Sequence, residues 1–112
     1  MLQITSQQKI FIAINSLDFR MGIDGLVGVC KQHLQANPFN GHVFVFRNKN
    51  FNAIKVLYYD SQGFWLCQKR LSRGRFQHWP ESKEQVAQLT VLQLQTLLWN
   101  HDPKLLNPTP NN

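Results

Sequence analysis

Two apolar runs, Ile54 to Tyr59 (IKVLYY) and Phe64 to Cys67 (FWLC), are joined by only Asp60-Ser61-Gln62-Gly63, and no other spacing in the chain constrains the fold as tightly. So short a link reverses the chain, so the two runs must pair as an antiparallel hairpin. Asp first and Gly last suit a type I turn. With Asp60 facing Gly63, the register sets Tyr59 against Phe64, Leu57 against Leu66, Val56 against Cys67 and Lys55 against Gln68.

The flanking segments extend this hairpin in both directions. Val43 to Arg47 (VFVFR) has the unbroken apolar character of a strand covered on both faces, and the turn-forming NPFNG at Asn37 to Gly41 precedes it. Lys9 to Ile14 (KIFIAI) is β-branched and aromatic enough for a first strand. Between these two strands, Ile23, Leu26, Val27, Cys30 and Leu34 recur at the spacing of one helix face, with Asp24 in the first turn. Asn37 and Pro38 are expected to end this helix. Gly25 and Gly28 inside it each cost about 1 kcal/mol relative to alanine, which close packing against a sheet would explain. After the hairpin, Leu71-Ser72-Arg73-Gly74 predicts a second turn and Arg75 to Trp79 a further strand ending at Pro80.

Ser82-x-x-Gln85 and Thr90-x-x-Gln93 both have capping-box spacing, and the second, followed by Leu94, Leu97 and Leu98, is the better helix start. Val86 to Leu89 reads either as a strand or as the first turn of a longer helix. The sequence thus predicts an α+β fold: an antiparallel β-meander of about five strands, one helix at about 22–35 packed on it, and a C-terminal helix at about 90–100. Residues 1–101 make a single domain, and 102–112, rich in proline and asparagine, a loosely ordered tail.

The meander sorts the charges. From Arg47 to Arg75 the chain carries Arg47, Lys49, Lys55, Lys69, Arg70, Arg73 and Arg75 against the single acid Asp60, a balance equal to the net charge of +6 of the whole chain. Following direction through the turns brings all seven cations to one end of the sheet, the far end, and leaves Asp60 at the other. Three of the four cations packed between Lys69 and Arg75 are arginines, whose planar forks match phosphate oxygens. Gly74 permits a turn with close backbone approach to a ligand. These seven residues are the candidate nucleic-acid contacts. Phe51, Phe76 and Trp79 lie near them, where they could stack on unpaired bases or simply fill the core. The charges also have a purely structural use, since cations on a sheet edge discourage strand pairing with other chains.

Composition narrows the classes further. A chain of 112 residues with 43% hydrophobic content can bury roughly two thirds of its extended surface as one domain. A pI near 9.8 favours polyanionic partners. Cys30 and Cys67 are far apart and outside any C-x-x-C spacing, as expected of thiols in a reducing compartment. The apolar run Ile10 to Ile14 is too short for a signal-peptide core or a membrane span, and we place the protein in the cytoplasm with no membrane partner.

Catalytic and metal chemistry find little to work with. The acids Asp18, Asp24, Asp60, Glu81, Glu84 and Asp102 fit structural roles better than a metal-dependent nuclease site. The four histidines form no metal-binding motif, and Cys30 with His33 and Cys67 reads as a core thiol beside an exposed imidazole. No phosphate-binding glycine loop and no G-x-S-x-G occurs. The sequence predicts no enzyme, no cofactor, no metal and no small-molecule substrate.

Five ordered blocks carry a family resemblance: DFRMGIDGL from Asp18 to Leu26, PFNGHVFVF from Pro38 to Phe46, KVLYYDSQG from Lys55 to Gly63, KRLSRGRF from Lys69 to Phe76, and Trp79-Pro80. In order and spacing they resemble the TnpB accessory proteins of bacterial insertion sequences of the IS-sixty-six type, over roughly residues 9–100. These are distinct from the RNA-guided nuclease of the same name. The resemblance implies a small protein encoded beside a separate, larger transposase and needed for efficient movement of the element, without a catalytic role of its own. The partners it implies are DNA, the transposase of the same element, or both. It leaves open whether the chain binds nucleic acid itself or acts as an adaptor on the transposase. Within the first block, Arg20 and Asp24 suit an ion pair at the helix start.

Overall fold

Side chains alternate between the two faces of a strand, and in the central strands of this chain both alternating sets are apolar. Such a sheet must be covered on both sides, and the structure shows how. A computed structural model describes residues 4–5 and 7–101. The expected tail at 102–112 lies outside the described residues.

The elements run β1 (Ile10–Ala13), α1 (Ile23–Gln32), β2 (Val43–Arg47), β3 (Ala53–Tyr59), β4 (Phe64–Arg70), β5 (Val86–Leu89) and α2 (Val91–Leu98). The strands form one sheet in the order β4-β3-β2-β1-β5. This is the α+β class and the five-strand count expected, with two differences in how the sheet is made. Only β2, β3 and β4 form a meander; β1 lies parallel to β2, with α1 as the crossover between them. The fifth strand is Val86–Leu89, antiparallel to β1, whereas Arg75 to Trp79 is an irregular strap. The reason lies in spacing: Phe76 and Trp79 are three apart and both enter the same core, which a strand with its period of two cannot arrange.

The hairpin register is as predicted, with Tyr59 paired to Phe64, Leu57 to Leu66, Val56 to Cys67 and Lys55 to Gln68. Its turn is not type I. Ser61 has φ +81°, and a positive φ at the first central position is the type II′ pattern, whose twist matches the flanking strands. Asp60 supports it by accepting from the Gln62 and Gly63 amides.

One face of the sheet carries Ile10, Ile12, Val43, Val45, Ile54 and Val56, covered by Leu94 and Leu97 of α2 and by Phe76 and Trp79 of the strap. The Trp79 indole N–H donates to the Ala13 carbonyl at 2.9 Å, so its one polar atom is satisfied in the core. The opposite face, Ala13, Phe44, Phe46 and Leu57, packs on Leu26, Val29 and Cys30 of α1. Burial drives the Cys30 thiol up to about 12, so it stays protonated.

Both helices are shorter than expected. α1 stops at Gln32 because Gln35 turns left-handed (φ 51°), while the Leu34 and Ala36 amides close on the Val29 and Cys30 carbonyls. α2 begins at the predicted capping box, with the Thr90 hydroxyl accepting from the Gln93 amide and the Gln93 side chain accepting from Thr90 N–H. Neither helix glycine packs on the sheet: a Cβ on Gly28 would meet nothing within 4 Å, and one on Gly25 would crowd Met21 at 3.1 Å.

Candidate nucleic-acid interface

Strand pairing fixes where the chain brings its cations. Ala53 pairs with Arg70 and Ile54 with Arg47, so β2 and β4 both end where β3 begins. Because β1 runs parallel to β2, its carboxyl end arrives there too, and Leu17 bridges Asn48. The β2–β3 loop is pinned by Asn48, whose side-chain oxygen accepts from the Asn52 and Ala53 amides. The loop after β4 leans on it, with Leu71 N–H donating to Asn52 O at 2.8 Å and Phe76 N–H to Phe51 O at 2.7 Å. Gly74, at φ +75°, makes the bend between these two bonds, where a side chain would be strained.

The seven candidate residues meet three different fates at this end. Lys49, Arg70, Arg73 and Arg75 are exposed, and their side chains have no hydrogen-bond or ion-pair partner among the described residues. Arg47 is half-buried, with its guanidinium 3.8 Å from the centroid of the Phe51 ring. It donates once, to Asn48 O, while its Nε–H has no acceptor among the described residues, and burial lowers its pKa.

Lys55 and Lys69 are committed to the fold. Lys55 is only 6% exposed, and its ammonium donates to the carbonyls of Phe19 and Met21 at 2.9 and 2.7 Å, beside the Phe19 ring. It fastens the β1–α1 loop to the sheet. Lys69 donates to Leu98 O at 2.6 Å, at the end of α2 where a cation suits the helix dipole, and its ammonium lies over Trp99.

A groove of about 650 Å³ opens at this end, between the carboxyl ends of β1 and β2 and the strap. Arg47, Phe51, Phe76 and Trp79 line it together with Arg75 and the acid Glu81. The expected aromatics are therefore all present, but Phe76 and Trp79 are buried walls and only Phe51 is half-exposed. A smaller hollow of about 500 Å³ lies between Ser16–Arg20 and Asn48–Asn50.

That hollow adds a residue absent from the sequence-based set. Arg20 pairs with Asp18, not Asp24, at 2.6 Å, and this hydrogen-bonded contact holds the Asp18 carboxyl down at about 2. Strand, helix, strand in sequence is the pattern of a βαβ unit, which would have placed Asp18 to Arg20 beside the end of β2. The far end is thus mixed in sign, with Asp18 and Glu81 among its cations. Among the described residues, no three His, Cys, Asp or Glu side chains are grouped to hold a metal, and no helix is long and apolar enough to cross a membrane.

Residues 8–107 match the family described as IS66 Orf2 like protein. The uncharacterized protein y4hO of Sinorhizobium fredii is 34% identical over 113 residues, spanning 97% of each chain. A second uncharacterized protein of that organism, y4jC, is 38% identical over 68 residues, which cover 61% of this chain and 58% of its own length. No solved structure shows a significant match.

Proposed function

The chain belongs to the IS66 Orf2-like family of insertion-sequence proteins, and we propose that it is a non-enzymatic accessory protein of transposition that contacts DNA phosphates through the far end of its sheet. The observation that carries this reading is the set Lys49, Arg70, Arg73 and Arg75: exposed, unpartnered among the described residues, and gathered from the end of β4 and from two loops that hydrogen-bond each other. Cations used to stabilise a fold find partners, as Lys55 and Lys69 do. These four have their charges left over.

The contact is electrostatic and therefore salt-sensitive. Three to five phosphate contacts give a slope of log K against log salt of about −3 to −4.5 on duplex DNA. Affinity for element-end DNA across a salt series tests it: Arg70→Ala, Arg73→Ala and Arg75→Ala together should lower the slope by about 0.9 per phosphate contact removed. No binding at low salt, or a slope unchanged in the triple variant, would sink the proposal.

A second reading, an adaptor that binds the transposase without touching DNA, is favoured by one feature. Trp99 is 73% and Leu92 53% exposed, both on or beside α2, and large apolar side chains so open to water suit a protein partner. Co-purification with the transposase of the same element, in the absence of DNA, distinguishes it; a clean failure counts against the adaptor.

A further inference from the structure

We infer that the groove beside the strap takes an unpaired nucleotide, so that the chain prefers single-stranded DNA over duplex. This rests on the nucleic-acid reading above and makes it more specific. Duplex DNA offers a convex phosphate surface with its bases stacked inside, which four exposed cations can meet without any groove. The groove is concave, of a volume that ordinary ligand sites have, and opens directly beside Arg75 and the Gly74 bend.

Its lining divides into parts that suit a nucleotide. Arg75, with Arg73 next to the Gly74 bend, stands on the rim for the backbone phosphates. Arg47 presents a planar guanidinium held against Phe51, the kind of surface on which splayed-out bases stack. Arg47 makes a single side-chain bond, from Nη1 to Asn48 O; its Nε is buried from solvent, and its accessible Nη2 has no acceptor among the described residues, which leaves that nitrogen free to donate to a ligand. Asn15, Gln77 and Glu81 complete the rim with amide donors, amide acceptors and a carboxylate, which match the hydrogen-bonding edge that a base exposes only when unpaired. The side chains of Asn15 and Gln77 make no hydrogen bond within the described protein, so their polar groups are not needed by the fold. Phe76 and Trp79 remain core residues and hold the groove's shape from below.

The test compares a fluorescent thymidine homopolymer with a blunt duplex of equal length, by anisotropy at about 50 and 200 mM salt. The single strand should bind about five- to tenfold tighter, with the excess persisting at the higher salt because stacking is not screened. Asn15→Ala with Gln77→Ala should lower that ratio by about threefold, leaving the part that stacking on Arg47 supplies, and circular dichroism checks that the double variant is folded. Equal or tighter binding of duplex overturns the groove assignment and leaves the phosphate-contact reading standing. A single-strand preference unchanged in the double variant overturns the groove as its source. Loss of binding to both probes in the parent overturns the two readings together.

Discussion

The two ends of the sheet use charge in opposite ways. At the near end Asp60 accepts from the Gln62 amide, the Gly63 amide and the Trp65 indole N–H at 2.8–3.0 Å, so its lone pairs serve the hairpin. Beside it Phe39 packs edge-on to Tyr59 and Phe64, which are tilted against each other, with centroids 4.9–5.2 Å apart, and the Lys31 ammonium lies over Phe39. At the far end the Asn48 side chain and the backbone bonds between the two loops do the holding, while Lys49, Arg70, Arg73 and Arg75 project without partners among the described residues. Removing the Asp60 carboxylate should therefore cost the near end structure, whereas removing the four unpartnered far-end cations should cost only binding. Lys55 and Lys69 are the exceptions, far-end cations drawn into the fold by backbone carbonyls.

The two ends can be set against each other by mutation. Trp79→Ala should cost roughly 3–5 kcal/mol, since it empties a core site and strands the Ala13 carbonyl. Trp65→Ala at the near end, where the side chain is 46% exposed, should cost about 1 kcal/mol or less. Urea midpoints compare the two, and equal losses would mean the strap is not part of the core. The next contrast lies within the far end. Lys55→Met should cost about 2 kcal/mol by removing two charge-assisted bonds while changing DNA affinity little. Arg70→Ala should leave stability within about 0.5 kcal/mol and weaken binding. The opposite pattern would assign Lys55 to the interface and Arg70 to the fold.

What could be read from the sequence was mostly local. The hairpin register followed from four residues between two apolar runs, because tight turns fix pairing, and the Thr90–Gln93 capping box located the start of α2. The gathering of cations beside the end of β2 followed from chain reversal alone. Long-range order was not legible: β1 is parallel to β2, and β5 is Val86–Leu89, because strand order depends on which edges the helices leave open. The burial of Lys55 was hidden for the same reason. In sequence it sits in a strand among apolar neighbours like any edge lysine, and only the arrival of Phe19 and Met21 from the β1–α1 loop gives its ammonium two acceptors. The pairing of Arg20 with Asp18 rather than Asp24 turns on backbone geometry, since the Arg20 amide also donates to Asp18 Oδ1.

Acid should distinguish the two ends by a smaller effect. Asp60 is held below its ordinary range by the Gln62 amide first, then the Trp65 indole and the Gly63 amide, and Asp18 sits at about 2 through its hydrogen bonds from Arg20. A carboxyl depressed in the folded state stabilises it fully above the unfolded pKa of about 3.9, and that contribution is lost as pH falls through the folded value. For Asp18 the window runs from about pH 4 down to about 2. Asp18 is exposed and Asp60 half-buried, and their partners differ in kind. The Asp18–Arg20 contact is a surface ion pair that salt screens, whereas backbone amides and an indole N–H carry no net charge to screen. Asp60→Asn should therefore flatten part of the acid loss at any ionic strength, while Asp18→Asn should do so at low salt and much less at about 1 M, where the Debye length is about 3 Å. Urea midpoints between about pH 5 and pH 2 read both variants. An acid slope unchanged by Asp60→Asn would show that the near-end carboxylate does not stabilise the hairpin through its charge, and would erase the difference between the ends.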